Sequence, residues 1–136
     1  MQTEKKISRR QALEELALRK AAQDVNAFIA LVMLDENKQP IVQSTIHRQL
    51  QSFLSDNSRG VVMFPRSHGK TTQMLGRIAW EIGRNPNLRI KIVSSSDPIA
   101  TSRGAAIRQI IESPIYQAIF PNVKRGEKWA DSAWAV

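Results

Sequence analysis

Gly69-Lys70-Thr71-Thr72 brings together the groups that polyphosphate chemistry requires: a glycine where backbone must approach an anion, an ammonium, and hydroxyls where a helix could begin. In a Walker A loop the backbone N–H groups wrap the phosphates, the Lys reaches the β- and γ-phosphates, and the Ser/Thr hydroxyl ligates Mg²⁺. The pattern G-x-x-x-x-G-K-[ST] puts its first glycine at position 64, where this chain has Phe64, so the tripeptide alone is a weak signal. The competing reading is a tight turn in which Gly69 relieves strain and Lys70 is simply solvated.

The flanks favour the phosphate reading. Gly60 opens the β-forming run Val61-Val62-Met63-Phe64, which predicts a buried parallel strand. From Thr71 to Gly83, Met74, Leu75, Ile78, Ala79 and Ile82 recur at helical spacing. Asn85-Pro86-Asn87 ends that helix, and Leu88-Arg89-Ile90-Lys91-Ile92-Val93 alternates apolar and basic residues as a second strand. Strand, helix and strand joined by a right-handed crossover make a βαβ unit, so the expected class is α/β with a parallel sheet between helices. Ser94-Ser95-Ser96-Asp97-Pro98 then lies at the strand ends where open α/β sheets bind ligands, although serine there is also ordinary helix-capping chemistry.

Other helices are expected around this unit. Residues 1 to 6 should fray, and Ser8 with Gln11 can form a capping box. An apolar stripe (Leu13, Leu16, Val25, Phe28, Ile29, Val32) predicts one amphipathic helix running to about Leu34, whose plainest role is packing or partner docking. After the polar break at 35–40, Ser44 to Leu54 predicts a short helix bearing His47, Arg48 and Gln49. Beyond Pro98 a helix should run through Ile107 and Ile111 to Ser113-Pro114, with a last short one around Tyr116 and Ile119. The tail carries Trp129 and Trp134 and has no clear period.

Composition narrows the function classes. The 136 residues allow one modest domain. Without Cys, disulfides and a thiolate metal site are excluded, with two isolated His no zinc cluster is expected, and a reducing cytoplasmic setting fits. No apolar run approaches the ~20 residues that span a bilayer, and the N-terminus lacks a signal-peptide core, so no membrane association is expected. Residues 59–108 hold nine Lys/Arg against Glu81 and Asp97, which is +7 of the net +8. That balance suits a polyanion, nucleotide or nucleic acid, as well as it suits an ordinary solvated basic surface.

In the order of its motifs the chain resembles the ATPase domain of the large terminase subunit of tailed bacteriophages, the motor that packages double-stranded DNA. The likeness rests on His47-Arg48-Gln49-Leu50, on Pro65-Arg66-Ser67-His68-Gly69-Lys70-Thr71 as a deviant Walker A, and on Gly83-Arg84-Asn85-Pro86-Asn87. It continues through Ile92-Val93-Ser94-Ser95-Ser96, Ser113-Pro114-Ile115-Tyr116 with Phe120-Pro121, and Trp129, and covers roughly residues 25 to 136. The resemblance implies a P-loop NTPase-type parallel sheet flanked by helices, here incomplete, over residues 41–136, preceded by an N-terminal helical segment over 1–40. It implies ATP and Mg²⁺ as cofactors, held by Pro65, Arg66, Ser67, His68, Gly69, Lys70, Thr71 and Thr72. Within that run Lys70 would contact the β/γ-phosphates, Thr71 the metal, and Arg66 the γ-phosphate as an arginine finger would, while His68 is otherwise a plain loop residue. Gln49 would match the family's adenine-reading Gln, with His47 as its rival. The implied partners are double-stranded DNA, the remainder of the large subunit or a complementing chain, the small subunit and the portal, all in the bacterial host cytoplasm.

The chain departs from that family in one respect that bears on chemistry. No apolar strand-like run ends in Asp followed by the catalytic Glu; the late carboxylates Asp97, Glu112, Glu127 and Asp131 are not so placed. The sequence therefore predicts an N-terminal fragment, from a truncated or split gene, that binds ATP and is inactive as an ATPase alone. Two other readings stand beside it: a non-enzymatic nucleic-acid- or partner-binding remnant with a vestigial P-loop, and the front of a helicase-type P-loop ATPase.

Overall fold

The computed structural model describes residues 7–127, 130 and 133–136, and they form six helices. These are α1 (Arg9–Gln23), α2 (Val25–Val32), α3 (Thr45–Asp56), α4 (Lys70–Arg84), α5 (Asp97–Glu112) and α6 (Pro114–Ile119). The expected fraying of residues 1–6, and Trp129 and Asp131 in the tail, lie outside the described residues.

Local chemistry sets the helix boundaries. Gln11 N–H donates to Ser8 Oγ at 3.2 Å and Ser8 N–H to Gln11 Oε1 at 2.9 Å, so the capping box opens α1. The single N-terminal helix is instead two. Asp24 is extended (φ −126°, ψ 115°), and its Oδ1 accepts from Asn26 N–H at 2.9 Å, which ends α1 and caps α2 in one residue. A short side-chain acceptor here competes with the helical ladder, and the stripe bends around it. Asp35 closes the next turn by accepting from the N–H groups of Asn37 and Gln39, both at 2.8 Å.

The parallel sheet expected from the sequence does not form. Among the described residues there is no strand, and pairing is limited to isolated bridges such as Leu34 with Pro40. Residues 61–65 and 88–94 are unpaired, with Val61 85%, Met63 89% and Val93 78% exposed. The α/β assignment is thus corrected to a helical fold. β-Formers make a strand only when a neighbour completes the hydrogen-bond ladder, and parallel strands also need helices over both faces. Here the helices pack on one another.

The core forms where α4 is surrounded. Ala79, Trp80 and Ile82 meet Ala21 of α1, Phe28 and Ile29 of α2, and Ile107 and Ile111 of α5, while Tyr116 and Phe120 close the cluster. Each isoleucine or phenylalanine among them contributes about 1.5–3 kcal/mol on burial. Phe28, Tyr116 and Phe120 form an aromatic trio with centroids 5.3–5.9 Å apart, Phe28 meeting Tyr116 edge to face at 83°. Gly76 lets α2 approach α4, since a Cβ there would lie 2.8 Å from Ile29 Cγ1. Trp80 Nε1–H donates to the Ala21 carbonyl at 3.1 Å, and Tyr116 O–H to that of Ala79 at 2.8 Å. The N-terminal helices therefore share one core with α4 and fix the helix that the turn ending in Gly69 opens.

Candidate phosphate-binding site

The loop runs from the extended 61–65 segment through a turn at 66–67 into α4. Ser67 has φ 61° and Gly69 φ 75°, ψ 15°, whereas His68 lies on the ordinary side and Lys70 begins the helix. Handedness therefore alternates along 67–70. Such alternation turns successive backbone N–H groups into a concavity that accepts an anion. Gly69 is the N-cap of α4 with no side-chain cap, and the first helical bond runs from Gln73 N–H to the Gly69 carbonyl at 2.9 Å. The amides of Lys70, Thr71 and Thr72 precede it, at the positive end of a 15-residue helix.

Side chains around the loop differ in what they add. Arg66 and Lys70 are exposed, and no carboxylate among the described residues pairs with either. Pro65 and Ser67 are exposed, and Thr71 and Thr72 are half-buried in the first turn of α4. His68 Nδ1–H donates to the Arg66 carbonyl at 2.7 Å. His47, reaching over from α3, places Nε2 2.9 Å from the His68 carbonyl. Gln49 lies beside the segment that leads into the loop. It is exposed and lines a 260 Å³ hollow with Ile46, Phe53, Val62 and Phe64.

Behind the loop lies a buried polar network that the sequence reading missed. Gln73, on the first turn of α4, accepts through Oε1 from Gln43 Nε2 at 3.0 Å and Gln51 Nε2 at 3.1 Å, and its own amide donates back to Gln43 Oε1. Gln43 also donates to Asn26 Oδ1 at 2.9 Å, and Arg77 donates to the Gln51 carbonyl at 3.2 Å and Ser55 Oγ at 2.9 Å. No buried side-chain polar atom among the described residues lacks a partner, so the network ties α4 to α3 and α2 without an unsatisfied group. One signal for it was available: Gln73 shares a helix face with Gly76, Ala79 and Trp80, all buried, where an apolar residue would otherwise sit.

The basic residues around α4 differ in their engagement. Arg77 is engaged with Glu81 at 2.8 Å, and Arg77 and Arg84 flank the Trp80 ring at 5.4 and 4.5 Å. Arg59, Arg66, Lys70, Arg84, Arg89 and Lys91 are exposed. Ser96 is the N-cap of α5 and makes no side-chain cap bond, and Ser94 and Ser95 are exposed beside it. A separate 710 Å³ groove between α4 and α5, lined in part by Trp134, shares no lining residue with the loop.

No helix among the described residues is long and apolar enough to cross a membrane. Comparison with known proteins finds no matching family model, no matching curated protein and no matching solved structure.

Proposed function

We propose that this chain binds the polyphosphate of ATP through residues 65–72 and is the ATP-binding N-terminal portion of a DNA-packaging motor of the terminase large-subunit type. The observation that carries the reading is the alternation of backbone handedness across 67–70, coinciding with Lys70 and Thr71 at the open end of α4. The phosphate-binding part of the reading rests on that loop and helix, and the motor type rests on the order of the sequence motifs alone.

In this account the amides of residues 67–72 receive the phosphate oxygens, and Lys70 neutralises the β/γ region. Arg66 meets the γ-phosphate charge. The Thr71 hydroxyl fits Mg²⁺, which takes one or two protein oxygens alongside phosphates and waters. When bound, the ion would supply charge neutralisation. Gln49 lines the hollow beside Phe64, and that hollow is the place to look for a base contact. Because no carboxylate of the chain follows an apolar run as a water-orienting base, the chain's residues bind and orient nucleotide. Turnover by the purified chain is expected at background, and robust Mg-dependent phosphate release would contradict this. The exposed arginines and Lys91 suit the DNA backbone, and the setting is the host cytoplasm.

The exposed basic residues also support a second reading, a nucleic-acid-binding protein whose loop is a relic. Displacement of a fluorescent ATP analogue separates the two. Under the nucleotide reading, Lys70→Ala weakens binding about tenfold to a hundredfold, as loss of a charge-assisted bond of ~1.5–3 kcal/mol implies. Under the other, Lys70→Ala changes nucleotide and DNA binding alike by about one phosphate contact, and salt abolishes both.

A further inference from the structure

We propose that His47 is a positioning residue for the phosphate loop, acting as an imidazole locked in its Nε2–H tautomer. The assignment follows from its two neighbours. Ser44 N–H donates to His47 Nδ1 at 3.4 Å, so Nδ1 carries the lone pair and the proton sits on Nε2. A carbonyl oxygen only accepts, so the 2.9 Å contact to the His68 carbonyl is Nε2–H donating. The start of α3 thereby sets which ring nitrogen faces the loop. His68 continues the relay in the opposite tautomer, with Nδ1–H donating to the Arg66 carbonyl at 2.7 Å.

The consequence for the loop is electrostatic. Peptide carbonyls carry partial negative charge, and an anion-binding loop must keep them turned away from its ligand while its N–H groups face it. Two loop carbonyls, those of residues 66 and 68, are each tied to an imidazole N–H. His47 also lies against the residue with φ 75°, since a Cβ on Gly69 would stand 3.4 Å from its Nε2. His47 thus pins the peptide between the two left-handed residues through its carbonyl. Its role toward ATP rests on the reading given under Proposed function.

The chain has two histidines, so ¹⁵N imidazole spectra of the full-length protein resolve the question directly. At about pH 8, where an ordinary imidazole is neutral, His47 should show the Nε2–H signature and His68 the rarer Nδ1–H signature. Tautomer averaging or an Nδ1–H ring at His47 would overturn the proposal. In ATP titrations, His47→Gln, whose amide donor falls near the Nε2 position, should stay within about twofold of wild type. His47→Asn and His47→Ala, which lack that donor, should weaken binding about fivefold or more. Equal affinity for all four proteins would overturn the positioning role while leaving the nucleotide reading intact. A wild type that binds no ATP yet shows the two opposite tautomers would remove the nucleotide reading and support the pinned loop.

Discussion

Replacing Gly69 with Ala tests the left-handed geometry on which the site depends. Gly69 sits at φ 75°, ψ 15°, where an L residue costs about 1–2 kcal/mol. The added Cβ would meet His47 Nε2 at 3.4 Å, a tolerable contact, so the backbone supplies the cost. The variant can respond in two ways. If residue 69 stays left-handed, the folded state loses about 1–2 kcal/mol, which for a chain of this size is roughly 3–10 °C in Tm, with ATP affinity kept. If residue 69 relaxes, Tm holds, but binding must restore the left-handed turn and affinity falls about fivefold to thirtyfold. The two losses, taken together from unfolded chain to complex, should total about 1–2 kcal/mol in either case. Thermal melts and nucleotide titrations on the same samples measure both. A Gly69→Ala protein with unchanged Tm and unchanged affinity would refute the alternating loop.

Further outcomes follow from the core and the network. Burial raises the Tyr116 phenol well above its ordinary value, so the folded state favours the neutral ring. Its contribution is complete below about pH 10, where the unfolded phenol is still protonated, and is lost as pH rises toward the raised folded value. Because Tyr116 is the chain's one tyrosine, denaturant midpoints of wild type should fall faster above pH ~10 than those of Tyr116→Phe. Parallel curves would contradict the buried, donating phenol. Gln73→Leu should cost about 1–3 kcal/mol in urea unfolding. Gln43 keeps Asn26 and Gln51 keeps the Gln73 backbone carbonyl, so the Gln43 Oε1 is the group stranded. A neutral Gln73→Leu would mean that the glutamines are solvated.

Much of the helical architecture was legible because its determinants are local. Periodicity and capping put α3, α4, α5 and α6 within a residue or two of where they form, as Pro98 and Ser113-Pro114 required of the last two, and Ser8 marked the start of α1. The strands failed for the converse reason. Val61–Phe64 and Leu88–Val93 have strand composition, but a strand is a property of a pair, and no residue's type states whether a partner will lie alongside. The break at Asp24 failed more narrowly, because periodicity ignores what one carboxylate does to the ladder. At the loop, Gly69, Lys70 and Thr71 were visible from residue type. The part of His47 was not, since it depends on α3 meeting a loop 21 residues away. Gln73 was hidden by its polarity, a glutamine being assigned to solvent unless its helix face is followed turn by turn.

The most direct measurement is a calorimetric titration of the purified chain with Mg-ATP at moderate salt, beside Lys70→Ala. The account predicts saturable one-to-one binding by wild type that the substitution abolishes or weakens at least about tenfold, as loss of the phosphate-facing ammonium requires. A folded wild type that binds no Mg-ATP, or binds it no better than Lys70→Ala, would contradict the claim that residues 65–72 form a phosphate site.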